Sequence, residues 1–330
     1  MISRRSFSTA GAALAATALL ESRKAMAQTP GKTARIVVGF APGGSTDVVG
    51  RMLADKLRGG ILGPTVLVEN KAGAGGRIGA EYVKNAEPDG NTMLVTPDGI
   101  MYLYPHVYRN LPYNVMRDFT PVVRVTKTVL SVFAGPGLPD NVRTVADFVT
   151  YARANPKSAV YATAGAGATV HFTGVLIEKA SGVPLAATHY RGAAPAVQDL
   201  IGGQVPVFIG GLGDGLPMLR AGRIRSLGTT GAVRSPLLPE APTLVEQGFK
   251  DIVVVEGYGL YVPIKTPAAV VAKINQEVRE LLKSKDVMER LATFGFEPGG
   301  ETPEEFAKTI AYEYERWPPV VLASGFKADE

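Results

Sequence analysis

The stretch Arg35 to Leu57, RIVVGFAPGGSTDVVGRMLADKL, constrains the fold more than any other part of the chain. Ile36-Val37-Val38-Gly39-Phe40 is a short apolar run, β-branched enough to be a buried strand. Pro42-Gly43-Gly44 breaks it. Ser45, Thr46 and Asp47 are residue types that begin helices. Val48, Val49, Met52, Leu53 and Leu57 then share one helical face, and Gly59-Gly60 ends it. A strand running through a glycine loop into a helix offers backbone N–H groups and the positive end of a helix dipole, which suit an anion. An ordinary turn capped by Ser or Thr fits the same residues.

The pattern returns in the second half. Val160-Tyr161-Ala162-Thr163 reads as a strand, Ala164-Gly165-Ala166-Gly167-Ala168-Thr169 as a glycine loop with a capping hydroxyl, and Phe172 to Ala180 as a helix. Two such units in different halves suggest two lobes, each presenting a helix N-terminus. Each end favours negative charge, so a dicarboxylate, or a carboxylate with a second polar end, would be preferred.

Between these units strands and helices alternate. Strands are expected at 65–70, 92–95, 119–132, 185–189, 205–209, 224–229 and 260–262. Helices are expected at 144–154 and 194–201, from Thr266-Pro267 onward, and from Thr302 to Arg316, where Trp317-Pro318 ends the last one. Gly210 to Gly215 reads as a flexible loop around Asp214. This is an α/β chain with mainly parallel sheets. The glycines of Gly73 to Gly79 nearly make a dinucleotide fingerprint, but Gly75 and Gly79 are one residue too far apart. A helix start packed close to a strand explains them without a cofactor. Tyr102, Tyr104, His106 and Tyr108 form an aromatic run that suits either a pocket wall or packing at a helix surface.

The first 27 residues read as a twin-arginine export signal. Arg4-Arg5 precedes a mild apolar region, Thr9 to Leu20, and Ala25-Met26-Ala27 is a cleavage site before Gln28. This places the mature chain in the periplasm. The signal holds +3 of the chain's net charge of +5, leaving +2. A pI of 9.2 therefore does not indicate nucleic-acid binding. There are no cysteines and three histidines, which excludes thiolate metal sites and a cysteine nucleophile. No cofactor or metal is expected.

With these residues collected, the chain resembles the Bug family, the periplasmic solute-binding receptors of tripartite tricarboxylate transporters. The matching motifs are Ala41-Pro42-Gly43-Gly44-Ser45-Thr46-Asp47 with Arg51, and Val68-Glu69-Asn70 with Gly73-Ala74-Gly75-Gly76. Pro88-Asp89-Gly90, Gly165-Ala166-Gly167 with His171, Tyr190-Arg191-Gly192 and Asp199 to Val205 continue the match. The resemblance implies a two-lobed type II periplasmic binding fold with two crossovers and a ligand cleft. It implies lobe 1 from 28–127 plus 253–330 and lobe 2 from 128–252. Carried over by position, ligand contacts come from Gly44, Ser45, Thr46, Asp47, Thr96, Gly167, Ala168, Thr169 and Asp214. The implied ligand is a small organic acid: a di- or tricarboxylate, an acidic amino acid or an aromatic carboxylate. The implied partner is a two-component membrane transporter or a sensor, served by a monomeric receptor. The chain departs from the family where Gly257 replaces a frequent aromatic, Ala168 a frequent Ser, and Arg191 a frequent Lys.

The competing reading is an exported α/β enzyme acting on a small carboxylate. A twin-arginine signal suits it, and Asp47 or Asp214 beside a histidine would give an acid–base pair. Against it, the chain has no G-x-S-x-G and no clustered histidines.

Overall fold

The computed structural model describes residues 33–328. The expected export signal lies outside these residues. Ten strands run in chain order: β1 (Ala34–Val38), β2 (Val66–Asn70), β3 (Thr92–Pro97), β4 (Phe119–Ala134), β5 (Val160–Thr163), β6 (Ala186–His189), β7 (Val207–Gly211), β8 (Arg225–Thr229), β9 (Val255–Pro263) and β10 (Glu297–Pro298). The first helices are α1 (Ser45–Lys56), α2 (Arg77–Lys84), α3 (Asp98–Tyr102), α4 (Tyr104–Val107), α5 (Val115–Asp118), α6 (Val145–Ala154) and α7 (Thr169–Ser181). They are followed by α8 (Ala193–Ile201), α9 (Leu212–Arg220), α10 (Ala268–Leu281), α11 (Lys285–Thr293), α12 (Pro303–Arg316) and α13 (Pro318–Ser324).

The strands follow the order β2-β1-β3-β9-β4-β7-β5-β6, with β8 and β10 also on β4. β4 spans two sheets. Its first part, to Val129, pairs with β9, and from Leu130 onward it pairs with β7. Thr230 ties the crossing together: its buried hydroxyl accepts from Leu130 N at 2.9 Å and donates to Val254 O at 2.6 Å.

The sheets are mixed rather than mainly parallel. β1 is parallel to β2 and β3, and β5 to β6 and β7, as strand–helix–strand units require. β4 and β9 run back against their neighbours, so each sheet gains antiparallel pairs where the chain crosses.

Helices cover both faces of the first sheet. Ile36 packs with Val49, Met52 and Ile274, whereas its neighbour Val37 packs with Val83, Tyr102 and Phe306. Such a strand is apolar at every position, which is why β1 reads as an unbroken run. Phe133, Leu200, Val205 and Phe208 form the core on one face of the second sheet.

Two expectations are corrected. Gly210 to Gly215 is the end of β7 and the first turn of α9, not a loop. Trp317-Pro318 ends α12, but α13 starts at once with Pro318 as its first residue. Beyond α12 the chain packs on α7, with the Trp317 and Phe326 ring centroids 6.3 and 6.0 Å from Phe172. The near-miss glycine motif has a packing role. A Cβ on Gly79 would lie 2.7 Å from Gly39 Cα, and one on Gly39 would lie 2.7 Å from Gly76 O, so the chain touches itself backbone to backbone there.

Candidate functional site

A cavity of about 470 Å³ opens between the two sheets. Ser45 and Phe40 reach it from the β1–α1 connection, and Ala164, Ala168, Thr169 and Val170 from the matching β5–α7 connection. Gly211, Gly213, Asp214 and Pro217 come from the end of β7 and α9, and Glu256 and Tyr258 from β9. Pro97, Gly99, Ile100, Leu103, Tyr104, Thr128, Thr293, Phe294 and Phe296 complete the lining. Of the aromatic run, Tyr104 is a wall of the cavity and Tyr102 is core.

At α1 the glycine loop is held from behind. Asp47 is 2 % exposed and accepts from Gly43 N at 2.9 Å, Arg51 Nε at 2.7 Å and Asn70 Nδ2 at 2.9 Å. The Asn70 amide also donates to Phe40 O at 3.1 Å. The Asp47, Arg51 and Asn70 motif residues thus clamp both ends of the loop. Burial pushes the Asp47 carboxyl up, but the bonds from Arg51, Gly43 and Asn70 outweigh it and hold the carboxyl below its usual range.

The expected hydroxyl caps are absent. The N-cap of α1 is Gly44 and that of α7 is Ala168, and neither helix has a side-chain cap. Their hydroxyls lie beside side chains of β9 instead. Tyr258 sits next to Ser45 and Thr46, and burial keeps its phenol far above its ordinary range, so it stays neutral. Thr169 sits next to Glu256. The first-turn N–H groups are therefore left to whatever fills the cleft.

The α7 loop has its own support. Gly167 has φ +71°, and its N–H donates to His171 Nδ1 at 3.2 Å. A Cβ on Gly167 would lie 2.8 Å from the Phe326 ring. Burial and the nearby His189 push His171 down to about 4, which keeps Nδ1 an acceptor.

The acidic groups are the least expected feature. Burial, with Asp98 and Asp214 nearby, pushes Glu256 up to about 7, against the neighbouring Thr169 hydroxyl and the charge of Arg124. The protein packed around Asp214 pushes it up to about 6, although its carboxylate accepts from Gly211 N at 2.9 Å. Behind the cavity Asp98 is fully buried and accepts from Arg124 Nε at 2.6 Å and from the Tyr261 hydroxyl at 3.3 Å. Arg124 Nη2 donates to Val255 O at 2.9 Å, which fixes the start of β9. Among the described residues, no lysine, arginine or histidine lines the cavity.

Of the residues named from sequence, Ser45, Ala168, Thr169 and Asp214 line the cavity. Gly44 and Gly167 lie in the adjoining loops. Thr46, Asp47 and Thr96 are buried behind it, Thr96 within β3 opposite Gly259. Sequence reasoning missed Glu256 and Tyr258. The available signal was an acid and an aromatic alternating with glycines in Glu256-Gly257-Tyr258-Gly259. Gly257 has no room for a side chain here, since a Cβ would lie 2.0 Å from Thr126 O. Neither Asp47 nor Asp214 has a histidine among its hydrogen-bond partners in the described residues. No group of three or more potential metal ligands occurs among those residues either.

Two sheets joined by crossing strands, with helix N-termini facing a shared cavity, define a two-lobed periplasmic binding protein. R. palustris Rpa4515 with adipate superposes with a TM-score of 0.79 at 32% identity, covering 90% of this chain and 99% of that one. MatC from Rhodopseudomonas palustris with bound malate gives 0.75 at 29% identity, over 89% and 100% of the two chains. BugT of Bordetella pertussis is 31% identical over 299 residues, 90% of this chain and 91% of BugT. The family model described as tripartite tricarboxylate transporter family receptor matches residues 49–326. The chain belongs to this receptor family. No helix of the described residues is long and apolar enough to cross a membrane.

Proposed function

We propose that this chain captures a small organic acid in the periplasm and delivers it to a two-component membrane transporter. The observation that carries the reading is the uncapped N-terminus of α1, which opens beside Ser45 and Tyr258 into the cavity between the sheets. The adipate and malate held by structural neighbours support the ligand class. Lobe 1 is 28–127 plus 253–330 and lobe 2 is 128–252, with the chain after Trp317 leaning on α7 of lobe 2. Ser45, Ala168, Thr169 and Asp214 meet the ligand, with backbone from Gly44 and Gly167, while Thr46, Asp47 and Thr96 hold that surface from behind. The signal is removed after Ala27, and the mature receptor acts as a monomer without catalysis.

A thermal-shift panel of acids, sugars and simple amines on the mature protein tests the ligand class. An acid should win. At ~100 times Kd it adds about 2.7 kcal/mol of stability. A panel in which sugars or amines without a carboxylate win overturns the reading. Periplasmic protein should begin at Gln28, and Arg4→Lys with Arg5→Lys should abolish its export.

A further inference from the structure

Phe294 is an aromatic side chain that the fold holds in place and leaves uncovered. It is the C-cap of α11, and its backbone is fixed from three sides. Phe294 N donates to Leu291 O at 3.0 Å and Gly295 N to Ala292 O at 3.1 Å, which closes the helix end. Gly295, at φ +71°, accepts at its carbonyl from the Thr128 hydroxyl at 3.0 Å. The first turn of α9 presses on the turn from the other lobe, where Gly213 has no room for a Cβ against Phe294 O. The ring itself is 37 % exposed, lines the cavity, and belongs to none of the apolar clusters of the described residues. Apolar surface fixed in this way is unfavourable until something covers it.

Much of the remaining lining is of the same kind. Phe40, Tyr104 and Phe296 add three more rings, and Ile100 and Leu103 add aliphatic surface. The volume of about 470 Å³ falls within the ~300–1,000 Å³ of pockets that hold small molecules chiefly by apolar and aromatic contacts. The aromatic wall adjoins the place given above to the carboxylate. Tyr258 sits next to Ser45, and its ring centroid is 5.3 Å from that of Phe296, two residues beyond Phe294.

We propose that the ligand is an aromatic acid, and that Phe294 selects it by packing on its ring while the carboxylate meets the open end of α1 beside Ser45. This rests on the organic-acid reading above and narrows it. The carboxylate defines the class, and Phe294 chooses among its members. An open-chain acid leaves the Phe294 ring in contact with cavity water. An aromatic acid covers it and gains the offset or edge contact that ring pairs prefer.

Calorimetric titration of the mature protein tests this with benzoate, phenylacetate and 3-phenylpropanoate against glutarate and adipate. The tightest aromatic acid should bind roughly tenfold more tightly or better than either open-chain acid, the size expected for burying a ring. Phe294→Ala should cut that preference by about the same factor and leave the open-chain acids unchanged. Phe294→Leu keeps an apolar side chain and should lose only the part due to ring contact, about two- to tenfold. Without ligand, both variants should melt with the wild type, because the ring lies outside the core. Lowered melting with an unchanged preference would make Phe294 a packing residue and overturn the inference. Glutarate or adipate binding best also overturns it and leaves the organic-acid reading standing. 3-Phenylpropan-1-ol separates the two readings, and should bind far more weakly than 3-phenylpropanoate. If the alcohol binds as tightly as the acid, or no acid of either series binds, both readings fall together.

Discussion

Glu256 shows how one side chain couples the site to stability. A glutamate ordinarily titrates near 4.5, and in the fold Glu256 is pushed up to about 7, first by burial and then by its acidic neighbours. Between those values the native state holds a proton that the unfolded chain has released. The contribution of Glu256 is therefore full below pH ~4.5 and is lost as pH rises through ~7. His171 shifts the other way, pushed down to about 4, so its contribution is present above its ordinary pKa and lost as pH falls. Comparing wild type with Glu256→Gln cancels the histidine. The wild-type melting temperature should fall relative to the variant between pH 5 and 8 without ligand, and parallel curves would refute the assignment. Asp98 gives a second test. It is the buried partner of Arg124 at 2.6 Å, and Asp98→Asn leaves that guanidinium without its counter-charge. Denaturant unfolding should show a loss of about 3–5 kcal/mol.

At the scale of elements, the readable parts were those whose pattern is local. β1–α1 and β5–α7 announce themselves because strand, glycine loop and amphipathic helix follow one another within one short stretch. β9 was read only at Leu260 to Val262, because Gly257 and Gly259 interrupt its apolar pattern. Those glycines answer to distant neighbours: a Cβ on Gly257 would lie 2.0 Å from Thr126 O, and one on Gly259 2.6 Å from the Phe306 ring. The first turn of α9 reads as a loop for the same kind of reason, while its remainder to Leu219 reads as helix. Gly213 and Gly215 look like turn residues, yet each is small because Phe294 O and the Phe133 ring press on its Cα. α11 was missed because Lys285, Asp286, Glu289 and Arg290 leave it few buried anchors, chiefly Val287 and Leu291. Ser45 and Thr169 do not cap because the helices begin at them, with Gly44 and Ala168 as N-caps, so their hydroxyls face Tyr258 and Glu256 of β9, far away in sequence. The C-terminal segment makes a prediction here. Phe326 packs on His171 at 5.0 Å between ring centroids and covers the loop at Gly167. Phe326→Ala should weaken ligand binding and increase hydrogen exchange at Gly165 to Ala168, with α1 unchanged. Equal exchange in variant and wild type would show that the segment does not hold the loop.

At the scale of the whole molecule, the two lobes are joined by β4, by the segment entering β9, and by the packing of the C-terminal segment on α7. Closure over a ligand, bending near Lys127-Thr128 and Ile252-Val253, should reduce the radius measured by small-angle scattering. An unchanged radius at saturating ligand would mean that the cleft is already closed. The same topology also fixes a timetable. β9 lies between β3 and β4 in the sheet, although both are synthesised long before Val255. A growing chain can finish β4 to β8, all of which precede β9. The first sheet meanwhile waits with the β3 edge and half of β4 unpaired, a hazard of aggregation on the ribosome. Pulse labelling during refolding should find amides of β5 to β8 protected before those joining β3 to β9. The lobe that begins the chain is thus the one completed last, and a ribosome stalled short of Val255 would leave a nascent receptor with half of its fold open.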